Sequence, residues 1–216
     1  MTISPLPRTR RRLAALGVLT AMVAGVTGLS TGAAYAEPPS SCNLNLEHEW
    51  YEVSSAAVDP VLTHWKGITI APGTTGSIET TLTEVEAVST TFNTSTEISA
   101  EAKVFLAKVA VKVGFSVQTG KSTTSTWSQK VTLNFNRPGD YAVFKGTHRV
   151  RGSADVFVCL PSGDPWNPGP GFWAYAFGSH PAYTTFDAEV EGTVSCDTPV
   201  TPGTVQELAR NKLICR

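Results

Sequence analysis

The sequence has no excess of positive charge. Its 17 Lys and Arg face 18 Asp and Glu. Four of the arginines, Arg8, Arg10, Arg11 and Arg12, sit in a leader that holds no acid, so its removal leaves 13 basic against 18 acidic residues, a net charge of −5. A chain of that sign lacks the basic stripe that displaces counterions from phosphate, which argues against a general nucleic-acid binder. Long apolar runs are absent after residue 36, so no transmembrane helix is expected there. Also missing are a Gly-x-Ser-x-Gly elbow, a phosphate-cradling glycine loop and any Cys-x-x-Cys pair. The four histidines, His48, His64, His148 and His180, share no i, i+3 or i+4 spacing, so they offer no ready metal face. With these signatures lacking, the chain reads as non-enzymatic, with no cofactor. Its 216 residues suffice for one domain of ordinary size.

What is present first is a destination. Residues 8–12 form a basic head, 13–29 are rich in Ala, Val, Leu and Gly, and Ala34-Tyr35-Ala36 is a small-residue cleavage site. That order is the order of a secretory signal peptide. Residues 1–36 are expected to be removed, and 37–216 to form a single secreted, extracellular β-rich domain. The run Thr9-Arg10-Arg11-Arg12-Leu13 also fits twin-arginine export, which leaves the route open. An oxidising exterior lets thiols pair, and Cys42, Cys159, Cys196 and Cys215 all lie beyond the leader. Two disulfides are expected, in one of three pairings. Cys196 with Cys215 would close the shortest loop and tie the tail to the last strand. Cys42 with Cys159 would then fasten the N-terminal segment to the body.

Along the rest of the chain, residues 37–66 carry Trp50, Tyr51 and Trp65 among polar residues and read as short strands joined by loops. Pro72-Gly73-Thr74-Thr75-Gly76 is a turn. Between 77 and 99, 11 of 23 residues are Ser or Thr, while Ile78, Leu82, Val88, Phe92 and Ile98 occupy even positions. That period of two predicts a long strand with one apolar and one hydroxyl-rich side, broken by a bulge near 84–87. Two patterns overlap across 94–118. Thr94-Ser95-Thr96-Glu97 fits a capping box, and Ile98, Ala102, Phe105, Leu106 and Val109 keep helical spacing, so a short helix is expected near 95–108. Ala107, Val109, Val111, Val113, Phe115 and Val117 alternate, and Trp127, Val131, Leu133 and Phe135 alternate again, so 107–135 reads as a β-hairpin. Further strands are predicted at 141–145, 147–160, 172–177 and 185–194. A Pro/Gly-rich loop surrounds Trp166, and a short helix capped by Thr204 covers 204–214. The fold class is therefore mainly β: an elongated antiparallel sheet or sandwich with long Ser/Thr-rich strands.

Chemistry-bearing clusters are few. Glu47-His48-Glu49 is the one dense titratable group, and it reads as solvated surface, because on an alternating strand His48 points away from both glutamates. Asp187, Glu189 and Glu191 would share one face of one strand, where mutual repulsion disfavours an acid–base division of labour. Aromatic residues concentrate at Trp166, Phe172, Trp173, Tyr175 and Phe177. The strand members are expected to fill the core and Trp166, between two prolines, to be exposed. Trp166, Trp173 and Tyr175 are the candidate contacts with a ligand or surface.

The Ser/Thr-rich strand from Ile78, the alternating segment 107–117 and the second hydroxyl run Ser122-Thr123-Thr124-Ser125-Thr126 together resemble the core of the aerolysin and epsilon-toxin type of β-pore-forming proteins. The resemblance covers 78–144, about a third of the chain. It implies long twisted strands that carry an insertion hairpin, with several copies pairing edge to edge into a barrel as a homo-oligomer. The row Val109, Val111, Val113, Phe115 and Val117 would then face lipid. The same texture is similar to that of small exported β-rich proteins of actinobacteria.

Two functions follow as expectations. One is a pore-forming or membrane-perturbing protein, with 98–118 inserting and 166–177 recognising a surface. The other is a disulfide-stabilised extracellular module that binds a cell-wall polymer, glycan or partner protein without refolding. The first requires the row from Val109 to be loosely covered, the second requires it to be packed core.

Overall fold

β-branched and aromatic residues alternate with polar ones over two long stretches, and each stretch forms one strand of 22 residues. The computed structural model describes residues 38–164 and 166–215, without the side chains of Asn167 and Pro168. The expected leader lies outside the described residues. In chain order the elements are β1 (Glu49–Ile70), β2 (Gly76–Glu84), β3 (Thr91–Phe92), α1 (Ala100–Val113), β4 (Gln129–Phe135), β5 (Gly139–Leu160), β6 (Gly163–Asp164), β7 (Asn167–Pro168), β8 (Phe172–Tyr175), β9 (Ala182–Phe186), β10 (Val190–Ser195) and α2 (Val205–Asn211).

The architecture is a mainly β, antiparallel one built on β5. One edge of β5 pairs with β1 from Glu49↔Val158 to Ile70↔Gly139. Its other edge pairs in turn with β8 at 157–160, β9 at 149–153 and β10 at 141–146. The sheet runs in the order β3-β9-β5-β1-β2-β4. β6 and β7 form a separate two-residue pair at whose tip Trp166 sits. Two disulfides close the fold: Cys42–Cys159 ties the segment before β1 to the end of β5, and Cys196–Cys215 ties the end of β10 to the tail after α2.

Several strand expectations are corrected. Instead of the short strands expected at 37–66, one continuous strand runs from Glu49, because β1 absorbs its irregularities as bulges, with register shifts between Val53 and Ser55 and between Leu62 and His64. The break expected at 146 does not occur. Gly146 stays in β5 because α2 packs there: a Cβ would lie 2.2 Å from Val205 Cγ1 and 2.4 Å from the Val61 carbonyl oxygen. The Ser/Thr-rich strand at 77–99 ends at Glu84 and resumes pairing only at Ser89↔Thr123, so the interruption falls at the expected place. The acidic row is also undone. Asp187 and Glu189 lie between β9 and β10, where Asp187 accepts from Thr147 Oγ1 (2.6 Å) and the His148 amide (2.9 Å) and Glu189 from Thr63 Oγ1 (2.8 Å). Glu191 pairs with Lys145 at 3.0 Å.

The largest correction is at 107–135, where no hairpin forms. Residues 100–113 are helical, and β4 pairs with β2 from Gly76↔Phe135 to Leu82↔Gln129. The helix starts five residues later than expected. Asn93 and Thr94 take positive φ (49° and 65°) in a tight turn closed by the Phe92 and Ser95 backbones, and Ser99 becomes the N-cap, its Oγ accepting from the Ala102 amide at 3.2 Å. Gly114, at φ 82°, ends it in a left-handed cap. Alternation and helical spacing coincide over 105–113, and tertiary packing decides between them. Ala102, Phe105, Leu106 and Val109 are buried against Val53, Val150, Ala154 and Tyr183. Phe105 meets the rings of Tyr51, Phe92 and Tyr183 at 6.1, 5.4 and 5.1 Å.

A second cluster joins Leu62, Ala142, Phe144 and Val194 to Val205 and Ala209 of α2. Ala142, Phe144, Val150, Ala154 and Val156 are all even-numbered and all buried, so both helices pack on one side of β5. α2 takes the predicted cap: Thr204 Oγ1 accepts from the Glu207 amide at 3.2 Å, and Glu207 accepts from the Gly203 amide at 2.7 Å.

Candidate functional site: an aromatic cleft at the start of β1

Over 49–55, β1 has β5 on one side and, among the described residues, no strand on the other, since β2 reaches it only at His64 and Trp65. α1 covers that open edge with two lysines one helical turn apart. Lys108 Nζ donates to the Tyr51 carbonyl at 2.9 Å and Lys112 Nζ to the Val53 carbonyl at 2.8 Å. The Lys108 ammonium also reaches the far side of the strand. There it pairs with Glu52 Oε1 at 2.8 Å and sits 3.6 Å from the centroid of the Trp50 ring. The Trp50 indole N–H donates to the same carboxylate oxygen. Trp50 and Glu52 share a face of β1 by the strand's period of two, while Tyr51 turns the other way into the Phe92 and Phe105 rings.

The second tryptophan arrives through the sheet. Trp50 pairs with Phe157, Cys159 pairs with Trp173 of β8, and the two indoles stand 6.1 Å apart at 51°. Together with Leu46, Glu47, His48 and Glu49, and with Ser99, Glu101 and Val104 at the start of α1, they line a half-open cleft of about 490 Å³. That lies within the range of roughly 300–1,000 Å³ usual for small-ligand sites.

Its polar groups are oriented. The Tyr51 hydroxyl donates to Glu49, and burial together with that carboxylate pushes the phenol well above its ordinary range, so it remains a donor. The Glu101 carboxyl is held below its usual range by its own backbone N–H and the Ser99 hydroxyl, and remains an anion. Glu47 accepts from the Asn43 amide at 2.9 Å. The buried Trp173 indole N–H meets no acceptor among the described residues. Two aromatic faces beside fixed carboxylates can stack on a ring and accept its hydroxyl or amine hydrogens. Among the described residues no group of three His, Cys, Asp or Glu side chains converges as a metal site would require.

Of the contacts expected from sequence, Trp173 lines this cleft. Trp166 is exposed, at 94%, but lies on the β6–β7 tip and is no part of the cleft lining. Tyr175 donates to Asp155 at 3.3 Å and meets the rings of Phe157 and Phe177 edge to face. The row Val109, Val111, Val113, Phe115 and Val117 does not exist as a strand face. Val109 is fully buried, Val111 is 85% exposed, and Val113, Phe115 and Val117 pack at the margin of the core. Missed by sequence reasoning were Trp50, Glu101 and Lys108. The one available signal was the cluster Glu47-His48-Glu49 running directly into Trp50-Tyr51. No helix among the described residues is long and apolar enough to cross a membrane. No protein-family model, curated protein or solved structure matches the chain.

Proposed function

We propose that this chain is an exported, non-enzymatic binding module that holds an extracellular glycan or cell-wall polymer in the cleft at the start of β1. The observation that carries the reading is the pairing of Trp50 with Trp173 in a pre-formed cavity edged by glutamates. Sugar rings present apolar C–H faces to indoles and hydroxyls to carboxylates. The basic leader, the cleavage site and the two disulfides support an extracellular setting. The close packing of Phe105, Leu106 and Val109 supports a module that works without refolding. The test is a glycan array and pull-down on insoluble cell-wall polysaccharide, using the exported protein with both disulfides formed. Trp173→Ala should weaken capture about fivefold or more, the loss of one stacking contact worth about 1–3 kcal/mol. No capture on any polysaccharide, or capture untouched by Trp173→Ala, refutes the cleft.

A second reading, membrane insertion of the aerolysin type, draws on a different observation. β2 and β4 pair across a connection of 85–128, the ribbon resumes at Thr90 N–H to Ser122 O (2.8 Å), and no cysteine lies between 76 and 135. Dye release from liposomes tests it. Val111→Asp alters an exposed site and so spares the fold, yet it should abolish release if this segment inserts.

A further inference from the structure

The cleft carries more negative charge than its partners consume. Glu47, Glu49 and Glu101 line it; the one lysine or arginine among its lining residues is Lys108, already paired with Glu52. A neutral sugar would offer those three carboxylates no counter-charge.

The chain itself displays the kind of group that fits. The Lys108 ammonium rests on the Trp50 face at 3.6 Å, with the Glu52 carboxylate at 2.8 Å and the Tyr51 carbonyl at 2.9 Å. An aromatic face, a carboxylate and a carbonyl are the components of an ammonium seat. The other indole, Trp173, stands 6.1 Å from Trp50 in a cleft that still has three further carboxylates to offer.

We infer that the cleft takes a polysaccharide bearing protonated primary amines, a hexosamine polymer with free rather than acetylated amino groups. This rests on the glycan-binding reading above and narrows it. The indoles stack on the rings and the glutamates pair with the ammonium groups. A basic peptide has the same charge, but extended peptides gain affinity by adding to an open strand edge. Here the edge carbonyls of Tyr51 and Val53 are already taken by Lys108 and Lys112, so the observations favour the sugar.

The experiment compares three probes by tryptophan fluorescence and calorimetry at pH 6: a glucosamine hexamer, an N-acetylglucosamine hexamer and hexalysine. The expected result is that the glucosamine hexamer binds about tenfold or more tighter than the acetylated one, and that Glu101→Gln reduces this ratio several-fold, the glucosamine hexamer losing more affinity than the acetylated one. Equal binding of the two hexamers overturns the amine inference and leaves the glycan cleft standing. Failure of both hexamers overturns the amine inference, while capture on any other polysaccharide keeps the glycan cleft. Tighter binding of hexalysine, or a ratio unmoved in Glu101→Gln, also overturns the inference.

Discussion

The Lys108 ammonium and the Trp50 indole stack at 3.6 Å, and through this contact α1 is latched to the face of β1 opposite the one its apolar side covers. The lysine and its partner Glu52 are both mostly buried, with side-chain exposures of 22% and 12%. Lys108→Met keeps the stem and removes the charge. It leaves a desolvated carboxylate with the Trp50 N–H but no counter-charge, and the Tyr51 carbonyl without its lysine donor. The expected loss is about 1–3 kcal/mol, read as a lower urea midpoint at unchanged slope. A change below about 0.5 kcal/mol would show that the latch contributes nothing.

Phe105 and Val111 lie on the same helix with opposite fates. Phe105→Ala should cost about 3–5 kcal/mol, because three aromatic rings lose their central partner. Val111→Asp, at 85% exposure, should change stability by no more than about 0.5 kcal/mol. Denaturation curves of the two variants decide whether 100–113 is helical in solution, since a strand would place both residues in different company.

Replacing Cys196 and Cys215 together by serine opens a loop of 19 residues. On the chain-entropy estimate the unfolded state then gains about 3 kcal/mol of freedom. The thermal midpoint should fall, with the protection of the α2 amides falling first in hydrogen exchange. Parent-like protection across α2 would contradict this.

Tyr51 and Tyr183 are both held protonated above the ordinary phenol value of 10.0, Tyr183 by burial and Tyr51 by burial and then Glu49. At high pH the unfolded chain therefore gives up protons that the folded chain keeps. This contribution is whole below pH 10 and is lost as pH climbs from there toward the folded-state values. Urea midpoints should decline above about pH 10, and Tyr183→Phe should flatten the decline while lowering neutral stability through loss of the bond to the Ser55 carbonyl (2.8 Å). A midpoint constant from about pH 9 to 11 contradicts this.

How much of this was legible beforehand depended on how local each signal was. The β class, the Thr204 cap and the exposure of Trp166 were readable from period, turn chemistry and flanking prolines. The disulfides could be foreseen as a pair of bridges, with their partners left open. α1 was half readable. Val109, Val111 and Val113 satisfy alternation as well as they satisfy a helix, and the choice is made by Val53, Val150 and Tyr183, which no window of sequence around Phe105 contains. The long strands were hidden for a related reason. Bulges at Ser54 and Thr63 shift the phase of β1, so a search for unbroken alternation cuts one strand into pieces. The cleft was least visible, because Trp50, Lys108 and Trp173 meet only through sheet pairing and helix docking.

The two lysines on the edge of β1 do one thing more. A bare strand margin carries unsatisfied carbonyls that can template a neighbouring chain. With Lys108 and Lys112 seated on the Tyr51 and Val53 oxygens, that margin of a 22-residue strand is closed by charge, and those two carbonyls are not open to a neighbouring strand.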